Sequence, residues 1–230
     1  MINIKSVLAG CPLLAGLPDQ ALDEATAMAR QRQFVAGKSI YDVGSRQSTL
    51  CVIASGTVRV SSVNAAGKEA TLIIFGPGAW LGDTVFSPEM PRVYGATAHE
   101  SAVVVELPGE GFRQLLKNYP ESYPVALDLV SRRLWSAMSI IETDALRGIE
   151  ARFARRMLFL VQIQGDGQFG SEPVTFFLTR EHVANMMGMS RQGVHKVIKR
   201  FETEGLLELS YGRITVVDPA ALQAYLQTLD

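Results

Sequence analysis

The 230-residue sequence contains little cysteine and little histidine. Its two cysteines, Cys11 and Cys51, form no CxxC motif, so a structural zinc site or an iron–sulfur cluster held by the thiolates of one chain is excluded. The three histidines do not recur at spacings of two or four residues, and no metal site is expected. The scarcity of cysteine indicates a reducing, cytoplasmic compartment.

The sequence also lacks an excess of charge of either sign. Its 22 Lys and Arg residues stand against 23 Asp and Glu residues, so the net charge is -1. This balance excludes a protein that binds nucleic acid by gross charge alone, and any basic surface must therefore be local. No apolar run approaches the roughly 18 residues of a membrane-spanning helix, so no membrane partner is expected. The hydrophobic content of 47% is typical of a globular protein.

Motifs of the common enzyme classes are missing as well. The sequence has no HxH pattern, no GxSxG elbow, no glycine loop that ends in Lys-Ser or Lys-Thr, and no motif that combines Cys with His. An enzyme on a β-roll or cupin-like barrel is a rival interpretation that no motif supports. We therefore expect no catalytic residues.

The first half of the chain is rich in strand-forming residues. A short helix is predicted over 19–33, with Asp19 as its N-cap. Residues 34–107 then alternate segments rich in Val, Ile, Thr and aromatic residues with glycines that permit turns. This pattern predicts an antiparallel β-roll, similar to a jelly roll. Cys51 lies in the apolar segment LCVIA and is expected in the core.

A long helix is predicted from Pro120 to about residue 145, because apolar residues recur there at spacings of three and four. Leu127, Leu134 and Ile141 stand seven residues apart, and so narrow a stripe is typical of a helix–helix seam. We expect a homodimer seam; the alternative is that the helix packs on its own β domain. The predicted seam consists of Leu127, Val130, Leu134, Met138 and Ile141.

Residues 179–203 have the pattern of a helix-turn-helix. Thr179 and Ser190 can cap two short amphipathic helices, and Gly188 stands between them, where the chain must turn. The segments that follow are two short strands of a wing within 206–217 and a last helix that begins at Asp218–Pro219.

The second of these helices is basic and contains no acid before Glu202. Polar residues near its start are placed to reach base edges, and the cations after them to meet phosphates, as in a recognition helix. The sequence therefore predicts binding of double-stranded DNA. The expected DNA-binding residues are Thr179, Arg180, Ser190, Arg191, Gln192, His195, Lys196 and Lys199.

The order of these parts resembles the CRP/FNR family of bacterial transcription regulators. The similarity covers almost the whole chain and is strongest in residues 43–83 and 178–207. It implies an α+β fold and a homodimer that senses a small molecule or redox state in the β-roll and binds a palindromic operator through a C-terminal winged helix-turn-helix. We expect an effector-sensing domain at 1–118, a dimerisation helix and hinge at 119–147, and a DNA-binding domain at 148–230.

Family members that bind cyclic nucleotides hold the ribose with a Gly-Glu pair and the phosphate with an Arg-Ser pair. The matching positions here are Gly82-Asp83 and Arg92-Val93. The family also has two adjacent hydroxyl residues in the long helix, and Ala137 and Met138 stand at those positions here. Three polar contacts would be lost, so we expect an effector other than cAMP. The predicted effector pocket consists of Gly82, Asp83, Arg92, Val93, Trp135, Ala137 and Met138.

The resemblance leaves the effector and any cofactor unidentified. An iron–sulfur cluster of the FNR type needs four thiolates, so it is not expected here. His99 is the only histidine of the β region, and we expect it at a strand end rather than as a haem ligand. Three alternatives stay open: an apolar or aromatic ligand near Trp80, Trp135 and Met138, a thiol sensor, and activity without any ligand.

The resemblance also implies how DNA would be read. Arg191 matches an arginine placed on guanine, whereas Gln192 replaces the usual Glu, which accepts a hydrogen bond from cytosine. We therefore expect a half-site that departs from the TGTGA or TTGAT core at the base pair read by Gln192. Activation would require a surface for RNA polymerase, and the loop 165–172 is its positional candidate.

Overall fold

The computed structural model describes residues 2–67, 69–164 and 169–229. Within the described part of the chain, no helix is both long and apolar enough to cross a membrane. The chain divides into two compact units, Met1–Ser62 with Ile73–Ser131 and Val63–Leu72 with Arg132–Asp230.

The β-rich part of the chain forms two four-stranded sheets. Its strands are β1 (Arg30–Phe34), β2 (Ser39–Tyr41), β3 (Thr49–Ser55), β4 (Val58–Val63), β5 (Glu69–Phe75), β6 (Trp80–Leu81), β7 (Gly95–Ala98) and β8 (Ala102–Pro108). The strand order is β1-β8-β3-β6 in one sheet and β2-β7-β4-β5 in the other. The register of the antiparallel pair β3 and β8 places Cys51 opposite Glu106. The predicted antiparallel N-terminal domain is confirmed.

Three helices complete the core of the first unit: α1 (Ile4–Ala9), α2 (Asp19–Met28) and α3 (Gly109–Asn118). Leu8 of α1 and Leu50 of β3 are fully buried in one apolar cluster with Phe112 of α3. The ring of Phe86 contacts the rings of Trp80 and Phe112 edge-to-face, at centroid distances of 6.3 and 5.9 Å. Burial of these large apolar surfaces is the main force that holds the helices against the sheet.

The prediction of one helix over 19–33 is wrong beyond Met28. Arg30–Phe34 instead form β1, which pairs along its whole length with β8. The partner strand satisfies the backbone of this polar segment and buries Phe34, and that pairing outweighs its helix propensity. Asp19 is also not the N-cap, because Pro18 occupies that position and Asp19 lies in the first helical turn.

The second unit contains a three-stranded antiparallel sheet in which Arg213–Val216 is the central strand, between Leu207–Ser210 and Val174–Phe177. The sequence predicted only the two strands of the wing. The rings of Phe153, Phe201 and Tyr225 pack in the core of this unit, at centroid distances of 5.0 and 5.6 Å. Its elements are α5 (Ile149–Gln164), β9 (Val174–Phe177), α6 (Arg180–Met187), α7 (Arg191–Thr203), β10 (Leu207–Ser210), β11 (Arg213–Val216) and α8 (Pro219–Leu226).

The long helix α4 (Tyr123–Leu146) follows a short 3-10 turn at Pro120–Ser122, close to where the sequence predicts a helix. Its residues that belong to the predicted seam are exposed apolar side chains in the single chain. The α+β fold class, with an N-terminal antiparallel β domain, a long helix and a C-terminal helix-turn-helix domain, is therefore confirmed.

Candidate nucleic-acid interface

The turn between α6 and α7 depends on a glycine. Gly188 has φ 64° and ψ 28°, the left-handed conformation that a residue with a Cβ rarely adopts. The chain reverses there, and the backbone N–H of Met189 donates to the carbonyl of Ala184 at 3.0 Å. This tight turn holds the start of α7 next to α6.

Side-chain caps start both helices where the sequence predicts them. Thr179 Oγ1 accepts a hydrogen bond from the backbone N–H of His182 at 3.3 Å, and Ser190 Oγ accepts one from the backbone N–H of Gly193 at 3.1 Å. His182 returns the first bond, since its Nδ1 accepts from the backbone N–H of Thr179 at 3.1 Å. This role of His182 was not predicted from the sequence, although His182 occupies the position where a capping box usually has Glu.

Helix α7 has two chemically distinct faces. Val194, Val197, Ile198 and Phe201 are buried and fix the helix to the rest of the second unit. The opposite face carries the polar side chains that the sequence predicted for DNA. The exposed residues of this face are Arg191, Gln192, His195, Lys196 and Lys199.

The other three predicted DNA-binding residues lie beside this face. Arg180 is exposed at the first position of α6, while Thr179 and Ser190 each use the side-chain oxygen to cap a helix. All eight predicted residues therefore lie on the helix-turn-helix, from the N-cap of α6 to Lys199 within α7. Two of them also act as structural caps.

Three cations of α7 are paired with carboxylates in the same unit. Arg191 Nη2 lies 2.6 Å from Glu181 Oε2 on α6, and Lys199 Nζ lies 3.8 Å from Glu202 Oε2. Arg200 pairs with Glu150 of α5, which directs its guanidinium towards α5 and raises the pKa of Arg200. The pair between Arg191 and Glu181 was not predicted from the sequence, because a contact between two helices leaves no periodic pattern along the chain.

A second ionic network connects α4 and α5 to the C-terminal end of α6. Asp144 of α4 accepts from Arg152 Nε at 3.0 Å and from Arg156 Nη2 at 2.6 Å. Arg156 also donates through Nη1 to the carbonyl of Met186 at 3.2 Å, near the end of α6. These bonds join α4, α5 and α6 within the second unit.

Two family models match the chain: a cyclic nucleotide-binding domain over residues 31–119 and a Crp-like helix-turn-helix domain over residues 151–225. Among curated proteins, the "Cyclic AMP receptor protein" of Thermus thermophilus is 31% identical over 216 residues, which is 93% of this chain and 96% of that protein. The chain belongs to the CRP/FNR family. Its helix-turn-helix is accordingly the DNA-binding domain of a transcription regulator.

Further CRP/FNR relatives agree with this assignment. The "CRP-like cAMP-activated global transcriptional regulator" of Mycobacterium tuberculosis is 26% identical over 220 residues, which is 95% of this chain and 98% of that protein. The crystal structure of the Thermus thermophilus catabolite activator protein superimposes with a TM-score of 0.53 at 27% identity, and covers 95% of this chain and 100% of that chain. These relatives are regulators rather than enzymes.

Among the predicted effector residues of the first unit, Gly82 is required by the backbone. Its φ is 110°, and a Cβ there would come within 2.2 Å of the carbonyl oxygen of Thr49. Asp83 follows as the first residue of the 3-10 turn Asp83–Val85. Gly82 therefore has a structural role whether or not a ligand binds.

Arg92, which the sequence predicts as the phosphate-binding arginine of the effector pocket, is only 4% exposed. Its Nη2 donates to the carbonyl of Thr49 at 3.0 Å, and its guanidinium carbon lies 3.6 Å from the centre of the Tyr41 ring. Its Nε has no hydrogen-bond partner among the residues that the structure describes. Val93, in contrast, is 61% exposed and offers no hydroxyl group. Arg92 thus fits an anionic group, but Val93 does not supply the second polar contact expected for a cyclic nucleotide.

The remaining predicted effector residues lie in the second unit. Trp135, Ala137 and Met138 are exposed on α4. Trp135 and Met138 line a shallow, mostly apolar depression of about 360 Å³. A single pocket composed of all seven predicted residues stays a prediction.

The two β-roll residues considered as sensors are integrated into the fold. Cys51 is 2% exposed, and burial raises the pKa of its thiol to about 12, so the reactive thiolate is not formed at neutral pH. His99 directly follows β7, and its backbone N–H donates to the carbonyl of Thr57 at 2.8 Å. The predictions that Cys51 lies in the core and His99 at a strand end are confirmed.

Proposed function

We propose that this regulator is a cytoplasmic homodimer that binds a palindromic operator under the control of a signal received by the β-roll. The observation that carries the proposal is the outer face of α7, where polar and cationic side chains stand exposed opposite an apolar face that is buried. A rigid, capped helix with such a face suits the major groove of B-DNA.

Each exposed side chain of this face has a role that follows from its chemistry. Arg191 can donate two hydrogen bonds to O6 and N7 of guanine, and Gln192 can both donate to and accept from adenine. Cations further along the surface meet phosphates, which set the register of the protein on the duplex. The residues assigned to phosphates or neighbouring bases are Arg180, His195, Lys196 and Lys199.

Dimerisation is supported by an exposed apolar stripe on α4. Leu127, Leu134 and Ile141 are 68%, 60% and 61% exposed, although leucine and isoleucine seldom stand in water along one helix. A second copy of the helix would cover them as in a coiled coil. We assign residues 119–147 to this dimerisation helix and hinge, between an effector domain at 1–118 and a DNA-binding domain at 148–230.

The dimer would place two α7 helices in successive major grooves, ~34 Å apart. The signal would favour the dimer whose helices have that spacing, which is a population shift. We propose a small-molecule effector other than cAMP, since Val93, Ala137 and Met138 provide no hydroxyl group. RNA polymerase is a further proposed partner; the candidate loop 165–172 lies partly outside the described residues, at 165–168.

Selection of sites from a random duplex library by the purified, ligand-free protein tests this function. We expect an enriched palindrome whose half-site centres are separated by about 10 base pairs or a multiple. Gln192→Glu should change the preferred base at one position of each half-site, because Glu accepts from cytosine.

Gln20→Glu is the matched control, since it makes the same chemical change at an exposed residue of α2 and should leave the selected motif unchanged. Failure to enrich any motif, both with the protein alone and after addition of cell extract, would contradict sequence-specific binding. An unaltered motif for Gln192→Glu would contradict the role of Gln192 alone.

A further inference from the structure

We propose that Glu181 is a specificity-determining residue of the DNA interface. Its carboxylate holds the guanidinium of Arg191 in the orientation that reads guanine, and its charge weakens binding to DNA of other sequence. This inference rests on the proposed function and adds a residue outside α7 to it.

The geometry links two helices across the turn. Glu181 is the second residue of α6 and Arg191 the first residue of α7, and their side chains meet at 2.6 Å between Oε2 and Nη2. Both side chains are exposed, Arg191 at 69% and Glu181 at 55%. The pair therefore lies at the surface that faces DNA rather than in the core.

Pre-orientation of Arg191 favours correct reading of a base. A free arginine side chain loses much rotamer freedom when it binds, and part of that loss occurs before DNA arrives if a carboxylate already holds the group. The planar guanidinium has five N–H donors, so one bond to Glu181 leaves enough donors for O6 and N7 of guanine. Glu181 thus stabilises one orientation without occupying the whole fork.

The negative charge of Glu181 also favours specific binding over non-specific binding. Non-specific binding depends almost entirely on attraction between cations and phosphates. A carboxylate beside Arg191 repels phosphates and reduces the attraction of Arg191 for them. The guanine edge, in contrast, is recognised by directed hydrogen bonds, so the ratio of specific to non-specific affinity increases.

A purely structural role of Glu181 would be to stabilise the N-terminus of α6, and a control variant can separate that role from an effect on DNA. Glu181 lies in the first turn of α6, where an acid is favourable for the helix dipole. Glu110 occupies the same position in α3, the second residue after the N-cap, and is exposed as well. Glu110→Gln is therefore a matched control for the loss of a first-turn carboxylate.

The test compares wild type, Glu181→Gln and Glu110→Gln in site selection and in binding titrations at fixed salt. For Glu181→Gln we expect about a three- to tenfold loss of preference for guanine at the base pair read by Arg191, and tighter binding to non-specific duplex. Its Tm should stay close to that of wild type, because exposed ion pairs add little to stability. Glu110→Gln should leave both DNA properties unchanged.

A second comparison uses Arg191→Lys, which removes the planar fork. Adding Glu181→Gln to Arg191→Lys should change the guanine preference less than twofold, because Glu181 acts through Arg191. If wild type selects a palindrome and Glu181→Gln keeps the same guanine preference, this inference is wrong while the proposed function stands. If wild type selects no motif either alone or after addition of cell extract, the proposed function itself fails.

Discussion

At the scale of single residues, the DNA-binding unit depends on short polar contacts that hold the backbone. Thr179, Ser190 and Asp218 each accept a hydrogen bond from a backbone N–H at the start of a helix. Such bonds satisfy donors that a helix leaves open at its N-terminus. The first turns of α6, α7 and α8 are therefore each stabilised by one side-chain oxygen atom.

Thr179→Ala should lower the free energy of unfolding by about 1 kcal/mol, because it removes the hydroxyl half of the reciprocal cap with His182. Urea denaturation monitored by circular dichroism measures this loss. Thr179→Ser keeps the oxygen and should unfold close to wild type. Equal stability of the Ala and Ser variants would contradict the role assigned to this cap.

Single residues also determine which ligand the predicted effector pocket can bind. The absence of a hydroxyl group at Val93, Ala137 and Met138 should weaken cAMP binding by several orders of magnitude. Each polar group of cAMP that is buried without a partner costs roughly 1–3 kcal/mol. Titration calorimetry should detect no binding of cAMP at micromolar concentrations, with the Thermus thermophilus cyclic AMP receptor protein as the positive control. A dissociation constant in the low micromolar range would refute this prediction.

At the scale of elements, Asp144 joins three helices of the second unit. Its carboxylate binds Arg152 and Arg156, and Arg156 continues to the carbonyl of Met186. The side chains of Asp144 and Arg156 are 30% and 14% exposed, so water screens this network less than it screens a surface pair. α4 is thus connected through α5 to the helix-turn-helix.

Asp144→Asn should destabilise the second unit by about 2 kcal/mol, because two charge-assisted hydrogen bonds are weakened and Arg156 loses its carboxylate. Urea denaturation provides the measurement. Glu142→Gln changes an exposed acid on the same helix and should have little effect. The network would be unimportant for stability if both variants unfolded at the same urea concentration.

At the scale of the whole molecule, the single chain leaves the apolar stripe of α4 exposed to water. Sedimentation at micromolar concentration should therefore find a particle of twice the 25.1 kDa chain mass. Leu134→Glu should reduce it to a monomer, because two carboxylates would face each other in the seam.

The control for this experiment is Val35→Glu, which introduces the same charge at another exposed apolar residue, between β1 and β2. This variant should sediment as wild type does. A wild-type particle of 25 kDa would contradict the dimer and favour the alternative that α4 packs on the β domain of its own chain.

Local patterns in the sequence determined much of this protein. The caps at Thr179 and Ser190, the turn at Gly188 and the buried face of α7 follow from contacts within a few residues, so periodicity and residue type were sufficient. The order of β-rich and helical segments likewise predicted the α+β class, and the resemblance predicted the family.

Contacts between distant segments were decided only by the tertiary structure. Arg30–Phe34 form a strand because β8 lies beside them, and Glu181 meets Arg191 because the turn folds α6 onto α7. The pairing of Arg200 with Glu150 has the same origin. Such contacts depend on the path of the chain in three dimensions, and neither propensity nor spacing along the sequence records that path.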